Sequence, residues 1–100
     1  MTAQVVIDKQ RVSIQGALDF HTAMDVRAQL QRALQVVQGD MVLDLAGVEH
    51  ANSVGLSLIL LLARGLEARN SRLQIQNMPA GLQSIARVCE LEDWLDGLAA

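Results

Sequence analysis

Apolar residues change their spacing between strand-like alternation and helical periodicity several times along the chain, and this pattern constrains the fold most. Residues 41–45 are apolar at both phases of a strand except at Asp44, which predicts a mostly buried strand at the centre of a sheet. Residues 53–68 are apolar around most of a helical circumference, and residues 73–76 alternate cleanly. The order strand, helix, strand favours parallel pairing through right-handed crossovers.

Two strands and a helix are predicted before this region. A polar segment, residues 8–11, separates two runs of alternating apolar residues and is interpreted as a hairpin turn. The alternating positions are Val5, Ile7, Val12 and Ile14. Gly16 is expected to end the second strand. Thr22 is followed three residues later by Asp25, which resembles a capping box at the start of an amphipathic helix that Gly39 stops.

The remaining segments complete an α/β pattern. Residues 46–52 are expected to form a loop, and Pro79 is typical of the first turn of a helix. Cys89 is expected to be a small core residue of that helix, and Trp94 to close the carboxyl-terminal end of the core. We therefore predict a mixed β-sheet of about four to five strands flanked by helices, in one domain over residues 1–100.

Composition excludes several classes of function. The net charge of −3 and the single Phe and Trp, with no Tyr, argue against nucleic-acid binding. One cysteine cannot form an intrachain disulfide, and His21, His50 and Cys89 lack the spacing of a zinc site, so no metal or cofactor is expected. The longest apolar run, residues 58–63, is far below the roughly 20 residues that span a bilayer. Since the amino terminus also lacks a signal-peptide pattern, we expect a cytoplasmic protein without direct membrane insertion.

The candidate site is the start of the long apolar helix. Asn52 and Ser53 form a polar pair there, after a buried strand and before Gly55. Backbone donors at such a helix start can bind an anion or a partner's acceptor. Alternatively, Asn52 or Ser53 only caps the helix, since both residue types are preferred caps.

A stripe along the same helix adds a second signal. At about 100° per residue, its members fall within a sector of roughly 80°. These are Ser53, Ser57, Leu60, Arg64 and Glu67. Leu60 is either a harmless exposed residue or the apolar anchor of an interface with a polar rim. Gly65, at the neighbouring edge, permits close approach of another backbone.

Three segments together resemble the STAS domain family in order and spacing. They are Gly16-Ala17-Leu18-Asp19, Val42-Leu43-Asp44-Leu45 and, above all, Asn52-Ser53-Val54-Gly55-Leu56. The resemblance runs over nearly all of the chain and implies partner binding rather than catalysis. It also implies that Asp19 and Asp44 flank the signature loop; alternatively, Asp19 is a turn or helix-entry residue before Phe20.

The signature loop favours one branch of that family. Anti-sigma-factor antagonists are phosphorylated on the serine directly before the loop glycine, and this chain has Val54 there, without a hydroxyl. Asn52 also replaces their usual aspartate. Ser53 matches the position at which the STAS subunit of the Mla phospholipid-transport system has threonine. The resemblance to that MlaB-like subunit implies a non-catalytic protein that binds and stabilises or activates the cytoplasmic ATPase of an ABC transporter, an MlaF-like protein held by an inner-membrane permease, in Gram-negative bacteria.

The predicted partner-binding residues lie in the first part of this helix. They are Asn52, Ser53, Val54, Ser57, Leu60 and Arg64. Such a transporter subunit would help maintain the lipid asymmetry of the outer membrane. The alternative is a partner-switching regulator of the anti-sigma-antagonist kind, phosphorylated on Ser53. A hydrolase is disfavoured because Gly55-Leu56-Ser57-Leu58-Ile59 lacks the second glycine of a nucleophile elbow.

Overall fold

The computed structural model describes residues 3–99, which form a four-stranded sheet and four helices. The elements are β1 (Ala3–Asp8), β2 (Arg11–Leu18), α1 (Ala23–Val36), β3 (Met41–Ala51), α2 (Ser53–Glu67), β4 (Leu73–Gln76), α3 (Ala80–Val88) and α4 (Glu92–Leu98). The strand order is β1-β2-β3-β4. β1 pairs with β2 antiparallel, and both other pairs are parallel. The predicted hairpin, the central position of β3 and the parallel pairing are therefore confirmed.

One face of the sheet carries the core. Over most of the sheet the buried strand residues belong to a single phase of the pleat: Val12, Ile14, Met41, Leu43, Leu45, Leu73 and Ile75. They pack against buried residues of the helices in one cluster. Ala17 and Leu18 at the end of β2 are buried as well. The other phase is polar at Ser13, Asp44 and Gln74, of which the first two are partly buried and Gln74 is exposed. The prediction of a mostly buried strand over residues 41–45 is confirmed, since three of these residues are buried and Val42 and Asp44 are partly buried.

The second strand is longer than expected. Gly16 does not end β2, which continues to Leu18. Gly16 has a φ of 98° and lies where the register with β3 shifts. This left-handed conformation costs glycine little, so the strand can bend there and continue.

The third strand also extends beyond its predicted end, so the loop expected over residues 46–52 is wrong. Its second half keeps pairing with β2 as far as Ala51. The register shifts at Ile14 and again after Gly16, and each shift accommodates an additional residue of β3. Because the strand continues, Asn52 reaches the end of β2, where its backbone N–H donates to the Leu18 carbonyl at 3.1 Å.

The capping box predicted at α1 does not form. Thr22 is the N-cap residue but makes no side-chain cap bond. Thr22 is buried, with 4% of the residue exposed, and its hydroxyl donates instead to the Ala17 carbonyl at 2.7 Å and accepts from the Asp19 N–H at 3.2 Å. The Asp25 carboxylate accepts from the Gln29 amide at 3.1 Å. Thr22 therefore ties the entry of α1 to the end of β2.

Helices α1 and α2 lie side by side. A Cβ atom at Gly65 would lie 2.6 Å from Leu34 Cδ1, so the glycine allows Leu34 to pack on the α2 backbone. Gly65 therefore does permit a close approach, but the neighbour is a side chain of α1 and not the backbone that the sequence predicted. None of the helices described over residues 3–99 is long and apolar enough to cross a membrane.

In the carboxyl-terminal region, the prediction that Cys89 is a core residue is wrong. Cys89 is exposed, since α3 ends at Val88 and the thiol lies beyond the buried face of that helix. Trp94 is half-buried against the core, as expected for a residue closing that end, while its neighbour Leu95 is fully buried.

Candidate functional site

Asn52 begins α2 and fixes its first turn. Its side-chain Oδ1 accepts from the Val54 N–H at 2.9 Å, and its backbone carbonyl accepts from the Gly55 N–H, also at 2.9 Å. With the bond from its own N–H to Leu18, Asn52 joins β2, β3 and α2. The interpretation of Asn52 as a helix cap is therefore confirmed.

The predicted stripe faces outward. Ser53, Ser57 and Arg64 are exposed, and Leu60 between them is half-buried. The Ser57 hydroxyl donates to the Ser53 carbonyl at 3.2 Å, which leaves its oxygen lone pairs able to accept a bond from a partner. We call the surface formed by Ser53, Ser57, Leu60 and Arg64 the α2 face.

Val54 and Gly55 pack inward. Val54 is half-buried and packs against the core. A Cβ at Gly55 would lie 3.1 Å from Leu82 Cδ2 of α3 and 3.5 Å from Leu18 Cδ1. The glycine of the signature loop therefore lets the start of α2 pack closely against α3 and β2.

Asp19 lies beside the signature loop. It is 6% exposed, and its carboxylate accepts from the backbone N–H groups of His21 at 2.9 Å and Thr22 at 3.3 Å. It directly follows Leu18, whose carbonyl binds Asn52. Asp19 therefore serves as a turn residue, and its neighbour Leu18 is the residue that contacts the signature loop.

Asp44 does not lie beside the signature loop. Its carboxylate binds the Arg11 guanidinium at 2.9 Å, the Ala46 N–H at 3.0 Å and the Asn77 amide at 2.9 Å. The amide of Asn77 and the backbone N–H of Ala46, together with the charge of Arg11, lower the pKa of Asp44 below its ordinary value. The expectation that Asp44 flanks the signature loop is wrong, because these bonds join β2, β3 and the end of β4.

A groove lies beside the α2 face that the sequence patterns did not predict. It lies between the first turns of α1 and α2 and has a volume of about 280 Å³. It is lined by Ala23, Met24, Arg27, Val54, Ser57, Leu58 and Leu61. Met24 is 86% exposed, and Phe20, just before α1, is 76% exposed. Helical arithmetic could have found Met24, since it lies on the side of α1 opposite the buried Val26.

Few of the described side chains are arranged in a way that could support catalysis or metal binding. His21 and His50 are both exposed. Within residues 3–99, no group of three or more His, Cys, Asp or Glu side chains is placed to hold a metal ion. Ser57 lies one turn inside α2 and donates its hydroxyl hydrogen bond to a backbone carbonyl rather than to a base.

Comparison with known families identifies the chain. Residues 2–98 match a family model described as "Mlab, STAS domain". The chain belongs to the MlaB STAS family. Its members are STAS domains, which generally bind other proteins and are not catalytic. No curated protein matches the chain.

Solved structures share the fold of this MlaB-type domain. The unphosphorylated anti-sigma factor antagonist SpoIIAA is 24% identical, with a TM-score of 0.70 over 92% of this chain and 84% of that one. SpoIIAA of Bacillus in its phosphorylated form is 22% identical, again with a TM-score of 0.70, over 98% and 88% of the two chains. A sulfate transporter family protein from Wolinella succinogenes is 16% identical, with a TM-score of 0.70 over 96% and 79%. The mixed sheet flanked by helices is therefore the STAS fold.

Proposed function

We propose that this chain is the non-catalytic STAS subunit of an Mla-type phospholipid ABC transporter, where it binds and stabilises or activates the cytoplasmic ATPase. The observation that carries the proposal is the α2 face of an MlaB-type domain. Two exposed serines, a half-buried leucine and an exposed arginine lie together on one rigid helix. This is the composition of an apolar contact with a polar rim.

The rigidity of the α2 face supports a permanent subunit. Its first turn is held by the Asn52 cap, and Gly55 lets α2 pack closely on α3. Side chains that are already ordered lose less entropy on binding. A standard interface of about 800 Å² per partner would extend beyond the α2 face and include neighbouring residues.

The signature loop also favours a permanent subunit over a phosphorylated switch. Val54 has no hydroxyl, and its half-buried side chain packs against the core. In this proposal the domain stays in the cytoplasm and is held at the inner membrane through the ATPase and its permease. No lipid has to contact the chain for this role.

The test is co-purification with the ATPase subunit of an Mla-type transporter from the same organism, together with its ATP hydrolysis rate. Ser53→Arg and Leu60→Asp are each expected to reduce co-purification at least tenfold and to remove the effect on the rate, since both place a charge at the contact. Ser84→Arg, on an exposed serine of α3, is the matched control and should bind normally. Normal binding by both α2 variants would refute this face as the contact.

A partner-switching regulator is the second candidate. It is supported by the similarity to SpoIIAA, whose structure exists in phosphorylated and unphosphorylated forms. Ser53 is exposed at the start of α2, where a kinase could reach it. A phosphate there adds about −1.5 to −2 charge, which a helix start tolerates and a packed interface does not. Neighbouring genes for a serine kinase and a sigma factor, with phosphate found on Ser53 by mass spectrometry, would favour this candidate over the transporter.

A further inference from the structure

We propose that the groove between α1 and α2 is part of the docking surface and receives an apolar side chain with a nearby carboxylate from a helix of the ATPase. This inference rests on the proposed function and extends it from the α2 face to α1. Ser57 belongs to both surfaces, since it lies on the α2 face and lines the groove. A partner seated on the α2 face would therefore reach the groove without a gap.

The groove has an apolar floor. Val54, Leu58 and Leu61 of α2 form one wall, and Ala23 and Met24 of α1 form the other. Its volume of about 280 Å³ lies just below the roughly 300–1,000 Å³ of small-molecule pockets. The size therefore suits protein side chains inserted from a partner better than a large free ligand.

Two large apolar side chains near the start of α1 are exposed, and one of them, Met24, lines the groove. Met24 and Phe20 are 86% and 76% exposed, and they are four residues apart. Neither contributes to the buried cluster that holds the fold. Aromatic residues and methionine are enriched in the cores of protein interfaces, where a partner removes them from water.

The charge at the groove fits an acidic partner. Arg27 lines it, and the acidic residue of the same turn, Asp25, faces away from it. Asp25 accepts from Gln29, whose own side-chain oxygen accepts from the Val5 N–H of β1, so Asp25 lies on the β1 side of α1. Within residues 3–99, Arg27 forms no salt bridge. The groove thus presents a free cation in a chain whose net charge is −3.

A second copy of this chain is a poor occupant by the same reasoning. The groove of a second copy presents the same Arg27 and the same apolar lining, and no carboxylate lines it. A C₂ contact would bring the two copies of Arg27 toward one another, which is unfavourable for like charges. We therefore commit to the ATPase as the partner.

The experiment is titration of the full chain into the purified ATPase subunit, with the affinity measured by calorimetry. Met24→Asp and Arg27→Glu are each expected to weaken binding about tenfold or more. Matched controls are Val88→Asp, an 84% exposed valine on α3, and Arg32→Glu, an exposed arginine on the β1 side of α1. Both controls are expected to bind like the wild type. Because all four side chains are exposed, the variants should fold, and their melting curves check this.

The outcomes separate this inference from the proposed function. If Leu60→Asp abolishes binding while Met24→Asp and Arg27→Glu bind like the wild type, the groove is not part of the docking surface and the α2 face remains the contact. If the wild-type chain itself does not bind the ATPase, both proposals fall. A photo-crosslinking residue at position 24 is expected to capture an ATPase helix that contains apolar and acidic residues. Capture of a second copy of this chain instead would overturn the groove's assignment to the ATPase.

Discussion

Replacing Asn52 by alanine isolates the contribution of one hydrogen bond to the start of the binding helix. Asn52→Ala removes the bond from the Val54 N–H to the side-chain Oδ1, which is 2.9 Å long. It leaves both backbone bonds of residue 52 in place, the one to Leu18 and the one from Gly55. The substitution therefore tests the cap alone.

The expected loss follows from the geometry. Removal of an asparagine cap costs about 0.5–2 kcal/mol. The site is half-buried, so water replaces the lost acceptor only in part, and we expect about 1 kcal/mol. In a domain of this size that lowers Tm by about 4–8 °C. Asn52→Asp keeps the acceptor and places a negative charge at the helix start, so its stability is expected to equal or exceed that of the wild type.

Urea unfolding followed by circular dichroism measures both variants under the same conditions. The midpoint should fall for alanine with an unchanged slope, because the surface exposed on unfolding is the same. An alanine variant as stable as the wild type would refute the assignment of Asn52 as a stabilising cap. An aspartate variant as unstable as alanine would show that the amide group, and not its oxygen, is what the site requires.

Two further predictions concern other polar sites. Thr22→Val removes the buried hydrogen bond from the hydroxyl to the Ala17 carbonyl, and urea unfolding is expected to show a loss of about 1–3 kcal/mol. Thr22→Ser keeps the hydroxyl and should retain most of the stability. A valine variant as stable as the wild type would contradict this account. The pKa of Asp44 is lowered in the fold by the Asn77 amide, Ala46 and Arg11, so its contribution is present above the ordinary pKa of 3.8 and is lost as the pH falls through the lower folded value. In thermal melts, the Asp44→Asn variant should therefore lose less stability than the wild type as the pH falls below about 4. The same decrease of Tm with falling pH in both proteins would contradict this prediction.

Local sequence patterns predicted most of the fold because each element has a clear period or a turn signal. The hairpin, α2 and β4 depend on residues that are close in sequence. The second half of β3 was missed because Ala46 and Gly47 are typical of a loop, and only pairing with β2 extends the strand there. The capping box predicted at Thr22 is wrong for a similar reason, since the hydroxyl binds the end of β2 rather than its own helix.

The candidate site was predicted in part. Helical arithmetic placed Ser53, Ser57 and Arg64 outward because exposure on one helix depends only on its own period. The groove depends on how α1 and α2 lie together, which Leu34 and Gly65 set through packing. No local pattern carries that information. The role of these residues in docking remains a prediction for the binding experiments.

Because the helices of residues 3–99 cover a single side of the sheet, the bare side is a natural place for a reporter. The molecule is only 19 Å across in its thinnest dimension, yet the sheet itself separates the two sides. A fluorophore on the exposed Gln74 of β4 would report tumbling and complex size without touching α2. Cys89 must first become serine, since its exposed thiol would compete for the label. One labelled chain could then serve every binding measurement described above.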